Sequence, residues 1–214
     1  YIFQTENLVT GYDEPLSKPL TLEMERGKKI VLTGANGIGK STLLKSILGL
    51  IKPLEGKVEL GDYLSIGYFE QEMSQDVQTT CIEEIWQEFP SMTQYEVRSA
   101  LAKCGLTNDQ IESKVMVLSG GEQAKLRLCK LMNSPHNVLV LDEPTNHLDI
   151  ASKEILEHAL NEYTGTVLYV SHDRYFINQT ATRILDLVNS TFVNYIGNYD
   201  YYLEKKEELT AAYA

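Results

Sequence analysis

The feature that most constrains the fold is a glycine-rich loop between an apolar strand and a helix. The run Gly34-Ala35-Asn36-Gly37-Ile38-Gly39-Lys40-Ser41 fits the pattern G-x-x-x-x-G-K-[ST]. The pattern predicts a strand over Lys29–Thr33 before it and a helix over about Lys40–Leu48 after it. Glycines let backbone N–H groups turn inward around phosphate oxygens, and the helix start adds its positive dipole end. An ordinary glycine-rich turn is the alternative, but the flanking elements favour a phosphate-binding loop.

Side chains in and beyond this loop extend the prediction to nucleotide hydrolysis. Lys40 is expected to reach into a solvent-filled loop towards the β- and γ-phosphates, and Ser41 offers its hydroxyl to Mg²⁺. The apolar strand Val138–Leu141 then ends in Asp142 and Glu143. Asp142 would hold Mg²⁺, and Glu143 would polarise the attacking water. Two solvated acids at a strand end are the alternative, which the phosphate loop upstream disfavours.

A second glycine-containing helix start lies at Leu118–Gln123. Ser119 and Glu122 fit the S-x-x-E capping box, so a well-capped helix is expected in either case. A cap does not explain Gly120 and Gly121, each of which costs up to ~1 kcal/mol relative to alanine inside a helix. Bare backbone at a helix N-terminus is suited to a close phosphate contact.

The order of elements predicts an α/β fold with a mostly parallel sheet. Val138–Leu141 is apolar throughout, which is typical of a buried parallel strand, and a further strand is expected at Thr166–Val170 after an intervening helix. Before these two strands, hydrophobic residues over 80–113 recur at helical spacing, which predicts a helical subdomain at about 75–135. We therefore expect one domain over residues 1–214, with the helical subdomain inserted in its core.

Composition excludes several classes of protein. Thirty acidic against nineteen basic residues give a formal charge of −11, which disfavours direct contact with nucleic acid or anionic lipid. No apolar run approaches the ~20 residues of a membrane-spanning helix, and no signal-peptide pattern opens the chain. The three cysteines form no C-x-x-C, which predicts buried, reduced thiols in a cytoplasmic protein. The first residue is Tyr rather than Met, so a fragment of a longer protein is expected.

Taken in order, these motifs resemble those of the ATP-binding cassette (ABC) ATPases, over essentially the whole chain. The resemblance implies a P-loop NTPase cassette with an antiparallel β subdomain beside the mostly parallel core sheet. It also implies ATP and Mg²⁺ as cofactors. The nucleotide-binding residues that it implies are Gly34, Asn36, Gly37, Gly39, Lys40, Ser41, Thr42 and Asp142.

The same resemblance assigns four further positions. Gln71 matches the glutamine that contacts Mg²⁺ and senses the γ-phosphate, and His172 matches the switch histidine at that phosphate. With Glu143 these two form the implied catalytic set, while Mg²⁺ would contact Ser41, Gln71 and Asp142. Asp149 matches an aspartate at the seam between two cassettes, and Tyr12 lies where the family stacks an aromatic ring on adenine.

Three of these positions, and His147 beside them, keep alternative interpretations. Gln71 fits a surface glutamine at a strand end, and His172 fits a residue that merely starts a helix behind Ser171. His147 is better explained as a packing residue than as a direct contact. Other aromatic residues that could reach the base in place of Tyr12 are Tyr1, Phe3 and Tyr63.

Three segments resemble the ABC-F subfamily, which has paired cassettes and no membrane domain. They are Glu143–Asp149, Ser171–Phe176 and Gly197–Tyr202. The subfamily acts on ribosomes, in translation or in antibiotic resistance through ribosome protection. Only 46 residues separate Gln71 from Leu118, which leaves no room for the arm helices of a first cassette. The resemblance therefore implies the C-terminal cassette of a two-cassette parent.

The implied mechanism is a sandwich of two cassettes. ATP on one cassette is covered by Ser119–Glu122 of the other, which is supplied by the parent chain or by a second copy. The parent would act on the ribosome in the cytoplasm, without direct membrane insertion. The alternatives are the ATPase subunit of a membrane transporter, and a binding-only module with a degenerate site. Intact Glu143 and His172 disfavour the binding-only module.

Overall fold

The computed structural model describes residues 1–34, 37–69 and 77–212, with the side chains of 37–38 and 209–212 excepted. The strands along these residues are β1 Phe3–Val9, β2 Leu20–Met24, β3 Lys29–Gly34, β4 Glu55–Leu60, β5 Ile66–Phe69, β6 Val138–Asp142, β7 Thr166–Val170, β8 Arg183–Val188 and β9 Thr191–Ile196. The helices are α1 Gly37–Ile47, α2 Cys81–Glu88, α3 Gln94–Lys103, α4 Asn108–Glu112, α5 Gly120–Met132, α6 Ile150–Glu162, α7 Arg174–Thr180 and α8 Tyr199–Ala212, with a 3-10 turn at Val115–Val117.

Two compact units divide the chain. The first consists of Tyr1–Tyr68, His136–Pro144 and Tyr163–Ala214, and the second of Phe69–Pro135 and Thr145–Glu162. Among the described residues, no helix is both long enough and apolar enough to cross a bilayer.

A six-stranded sheet organises the first unit, in the order β5-β6-β7-β3-β8-β9. The pairs β6–β7, β7–β3 and β3–β8 are parallel, and β9 pairs with β8 in the antiparallel direction. The predicted α/β fold with a mostly parallel sheet is therefore confirmed. Parallel pairing brings the carboxyl ends of β3, β6 and β7 to one edge, where Asp142 lies opposite Val170.

An antiparallel sheet of order β2-β1-β4 forms the rest of the β structure in this unit. The main apolar cluster joins this sheet, one face of α1 and the core of the larger sheet. Its buried members include Phe3, Met24, Ile30, Leu32, Leu43, Leu44, Val140, Leu168 and Leu185. One face of the helix that follows the phosphate loop is thus held against the two sheets by burial of apolar surface.

The start of α1 differs from the prediction. The helix begins at Gly37 rather than at about Lys40, so part of the glycine loop already has helical backbone. The first N–H groups of a helix have no partner within it, and here they belong to the loop itself. Gly34 is required by packing as well: its φ is +128°, and a Cβ there would lie 2.5 Å from the carbonyl oxygen of Leu187.

Helices form the second unit. Thr80, Thr93, Thr107 and Ser119 cap α2, α3, α4 and α5 through side-chain oxygens. Residues 80–135 contain helices and no strand in their described part, in line with the helical pattern of the sequence. The cysteines are free thiols buried in this unit, as predicted: Cys81, Cys104 and Cys129.

The terminal helix α8 is attached to the sheet through a buried carboxylate. Asp186 on β8 is 1% exposed, and its Oδ2 accepts hydrogen bonds from the hydroxyl of Tyr202 at 2.9 Å and from the Lys206 ammonium at 3.1 Å. The other oxygen of Asp186 has no hydrogen-bond partner among the described residues. Tyr202 also packs edge-on against Tyr195, with ring centroids 4.9 Å apart.

Tyr202→Phe should therefore lower the free energy of unfolding by about 1–3 kcal/mol, the range for a lost hydrogen bond to a buried charged group. Urea denaturation followed by circular dichroism measures it. Tyr201→Phe is the matched control, because Tyr201 is 40% exposed and its hydroxyl is not part of this contact. Equal effects of the two substitutions would contradict the role given to Tyr202.

Candidate functional site

The lysine of the glycine loop is buried in the first unit. Lys40 is 0% exposed, its ammonium donates a hydrogen bond to the carbonyl of Gly34, and its Nζ lies 2.9 Å from Nε2 of His172. The expectation that Lys40 reaches into a solvent-filled loop is therefore wrong for this conformation. Acceptors at the ends of neighbouring strands replace water around the ammonium, as a buried charge requires.

The next side chain along α1 contacts the acid at the end of β6. The Ser41 hydroxyl donates to Oδ2 of Asp142 at 3.2 Å, although the two residues are 101 positions apart. A hydroxyl and a carboxylate oxygen beside a phosphate loop are the kinds of ligand that Mg²⁺ uses. These two residues therefore fit the predicted metal. Thr42 is buried, and its carbonyl accepts from Ser46 one turn further along α1.

Glu143 turns away from Asp142 and contacts His172. Its backbone has φ +48°, and its N–H donates to the carbonyl of Val170 at 2.9 Å. This left-handed turn is uncommon for a residue with a side chain. It ends the strand and brings Oε1 of Glu143 to 3.2 Å from Nε2 of His172. Two adjacent acids thus contact different groups, one the Ser41 hydroxyl and the other the imidazole.

Burial changes the protonation of these groups. It raises the pKa of Glu143, as does the charge of Asp142, while the Lys40 ammonium opposes this rise. Burial and the charge of Lys40 lower the pKa of His172, so its imidazole is neutral at pH 7. A neutral Nε2 either accepts from Lys40 or donates to Glu143. The cluster can therefore exchange one hydrogen bond for the other without gaining net charge.

His172 is not needed to start the helix that follows it. Asp173 is the N-cap of α7, and its Oδ1 accepts from the N–H of Phe176 at 3.1 Å. The Ser171 hydroxyl accepts from the N–H of Asp173 at 3.1 Å. Since the cap is complete without the imidazole, the contacts of His172 with Lys40 and Glu143 need another explanation.

A tight loop presents Tyr12 to solvent. Gly11 forms a bridge with Pro15, and a Cβ on Gly11 would collide with the carbonyl of Glu14. The Tyr12 side chain is 57% exposed, so an adenine base could stack on its ring. Phe3 is 1% exposed and cannot reach a base. The other candidates, Tyr1 and Tyr63, remain exposed at 42% and 94%.

The predicted capping box is present in the second unit. The Ser119 hydroxyl accepts from the N–H of Glu122 at 3.2 Å, and Oε2 of Glu122 accepts from the N–H of Ser119 at 3.0 Å. This backbone hydrogen bond lowers the pKa of Glu122. A Cβ on Gly121 would lie 3.1 Å from the carbonyl oxygen of His147, so packing also restricts this position. The sequence indicated a glycine here for a close phosphate contact, but it did not indicate this packing against His147.

Asp149 begins α6 and is paired with a lysine. Its Oδ1 accepts from the N–H of Ser152 at 2.8 Å, so Asp149 caps α6, which starts at Ile150. Its Oδ2 lies 3.1 Å from Nζ of Lys125 on α5. Sequence reasoning did not single out Lys125, because nothing in the chain near Lys125 indicates its partner.

The predicted residues fall into two groups. The first unit brings together Gly34, Lys40, Ser41, Asp142, Glu143 and His172, with Tyr12 on its separate loop. The second unit holds Ser119, Gly120, Gly121, Glu122 and Asp149. Gly37 lies in the first turn of α1, and Gly39 is buried next to Lys40. Asn36 and Gln71 lie outside the described residues.

Comparison with known proteins identifies relatives over nearly the whole chain. The family model described as ABC transporter matches residues 17–146. A Bacillus subtilis protein described as an uncharacterized ABC transporter ATP-binding protein, YfmM, is 65% identical over 85% of this chain and 35% of its own length. Arabidopsis thaliana ABC transporter F family member 2 is 46% identical over 98% of this chain and 32% of its own length. The chain thus spans about a third of the length of the curated relatives it matches.

Solved structures share the fold. One described as an inward-facing conformation of a putative metal-chelate type ABC transporter superposes with a TM-score of 0.73 at 26% identity. The match covers 93% of this chain and 84% of that one. The fold class predicted from the motifs is therefore confirmed.

Proposed function

Because the chain belongs to the ABC transporter family, we propose that it is an ATP-binding and ATP-hydrolysing cassette of the ABC-F type. It would close with a second cassette on ATP and couple that closure to action on the ribosome. The observation that carries the ATPase proposal is the convergence of Lys40, Glu143 and His172 beside the Ser41–Asp142 contact.

Binding would begin at the start of α1. The backbone N–H groups of the loop and the Lys40 ammonium would bind phosphate oxygens, with Lys40 exchanging its contacts with Gly34 and His172 for them. Ser41 and Asp142 would hold Mg²⁺, which neutralises charge on the β- and γ-phosphates. Tyr12 would stack on adenine, a contact worth ~1–3 kcal/mol.

Hydrolysis would depend on Glu143 and His172. The raised pKa of Glu143 makes its carboxylate a stronger base for a water proton. His172 would hold Glu143 through the contact at 3.2 Å and release it when Nε2 turns to the γ-phosphate. Gln71 would join this set as a ligand of Mg²⁺. Glu143 and His172 follow β6 and β7, two neighbouring parallel strands, which gives a reason for their assembly at one sheet edge.

Closure would require a second cassette. The exposed Ser119 and Gly120 of one cassette would cover the phosphates of the other, using unpaired N–H groups at the start of α5. Binding energy would thereby drive closure, and hydrolysis would reopen the pair. The partner would be another cassette of the same parent protein or a second copy of this chain.

The ABC-F assignment is supported by three segments and by similarity to an Arabidopsis relative named as an F family member. The spacing of 46 residues between Gln71 and Leu118 supports a C-terminal cassette within that subfamily. A cytoplasmic location follows from the same assignment. The second candidate is the ATPase subunit of a membrane transporter, favoured by the likeness to a solved transporter at TM-score 0.73.

Sedimentation distinguishes the two candidates. Bacteria expressing the full-length parent protein with Glu143→Gln would be lysed with ATP and Mg²⁺, and the lysate fractionated on a sucrose gradient. We expect the variant to migrate with ribosomal particles with ATP and to stay at the top with ADP. Accumulation in the membrane fraction would favour the transporter subunit instead. A variant that remains at the top with both nucleotides would contradict the ribosomal part of the proposal.

A further inference from the structure

The two carboxylate oxygens of Asp149 contact two different helices. Oδ1 accepts from the N–H of Ser152 and so caps α6, while Oδ2 is paired with Lys125 on α5 at 3.1 Å. The side chain of Lys125 is 18% exposed, so most of it is packed against the protein. The Ser152 hydrogen bonds and then Lys125 hold the pKa of Asp149 at about 2.

A second contact joins α5 to the residues just before α6, one turn of α5 away from Lys125. Gly121 and Lys125 are four positions apart on α5 and therefore lie on one face of the helix. The carbonyl oxygen of His147 approaches Gly121 so closely that a Cβ there would lie 3.1 Å from it. Between the two contacts, Leu148 is 8% exposed. The segment 147–149 is thus fixed to α5 at Gly121 and at Lys125.

We propose that Lys125 is a positioning residue, which holds the Asp149 segment against α5 so that both meet a second cassette as one surface. This inference rests on the proposed closure of two cassettes. Without Lys125 the cap on α6 remains, because Oδ1 of Asp149 is unaffected. What is lost is the tether on Oδ2, so the start of α6 no longer follows the N-terminus of α5.

The chain offers a matched control for a purely stabilising ion pair. Lys130 also lies on α5, its side chain is 19% exposed, and it is paired with Glu84 at 2.9 Å. Lys130 also lies 3.7 Å from Glu88, and both of its partners belong to α2 rather than to the 147–149 segment. Lys125→Met and Lys130→Met each remove the ion pairing of one lysine on α5, but only the first removes the tether.

The first test measures ATP-driven association in a Glu143→Gln background by light scattering. Lys125→Met should weaken association about tenfold, because a symmetric sandwich contains two tethers and an exposed ion pair is worth up to a factor of about five. Lys125→Arg should restore association, and Lys130→Met should not change it. ATP binding to the unassociated chain should be equal in all variants. Asp149→Asn keeps an acceptor for Ser152 and should reproduce the loss, with no further loss in the double variant.

The second test does not depend on closure. Hydrogen exchange of the unassociated chain should be about tenfold faster at the amides of 146–149 in Lys125→Met and unchanged there in Lys130→Met. If Glu143→Gln itself fails to associate, the proposed closure with a second copy fails, and this measurement still decides the inference. Equal exchange in the two variants, or equal loss of association in both, would overturn the role of Lys125.

Discussion

Glu143→Gln should lower the rate of ATP hydrolysis by about 10²–10⁴-fold, the usual contribution of a general base. Binding of ATP should persist, since the amide has nearly the shape of the carboxylate and Asp142 still contacts Ser41. What disappears is the acceptor for the water proton. Steady-state phosphate release and an ATP-binding titration measure the two effects separately. Glu154→Gln removes an equal charge from an exposed position of α6 and should keep the wild-type rate.

The same variant has a mechanical consequence. A pair of cassettes that cannot hydrolyse ATP cannot reopen by that route, so ATP with Mg²⁺ should drive it towards a closed dimer. Size-exclusion chromatography with light scattering should show the dimer with ATP and a monomer with ADP. Adding Gly120→Asp should disperse it, because a carboxylate at the start of α5 repels the phosphates. Wild-type turnover would disprove the assignment of Glu143. An inactive variant that never associates, even with the other cassette of its parent protein, would disprove the sandwich.

Lys40→Ala should weaken ATP binding by about 10²-fold, the upper range for a lost hydrogen bond to a charged group. ATP stabilises the folded state by mass action, so it should raise the Tm of the wild type and barely change that of the variant. Differential scanning fluorimetry with and without ATP measures this. Lys45→Ala, in the last turn of the same helix, should retain the full ATP-induced shift.

The burial of Lys40 requires one more variant. Alanine removes packing as well as charge, because the side chain is 0% exposed. Lys40→Met keeps most of the stem and removes only the ammonium, so it should stay folded and still lose the ATP-induced shift. An equal shift in Lys40→Met and in the wild type would contradict a phosphate contact by Lys40.

Local patterns were sufficient to predict much of this protein. The glycine loop, the two acids at the end of β6 and the capping box of Ser119 and Glu122 each depend on residues within one short segment. Their physics is local, since a cap, a turn or a buried strand is decided by neighbours along the chain. The α/β alternation likewise follows from the order of such segments. Predicted boundaries were less accurate, as the start of α1 at Gly37 shows.

Contacts between distant segments could not be predicted in this way. Lys40 and His172 are 132 positions apart, and their contact depends on the order and register of β3, β6 and β7 in one sheet. The burial of Lys40 follows from that contact, as does the division of Asp142 and Glu143 between different partners. Sequence alone treated Lys40 as a solvent-facing group because the loop pattern contains no information about its neighbours.

The roles of several residues were likewise decided by tertiary structure. Phe3 could stack on a base according to the sequence, but it is buried in the apolar cluster. The carbonyl oxygen of His147 leaves little space for a side chain at position 121. Lys125 forms an ion pair with Asp149. The sequence by itself determined which chemical groups this chain carries and in which local elements they lie. Only the packing of distant segments decided which groups meet, because each such contact requires two parts of the chain to be fixed at once.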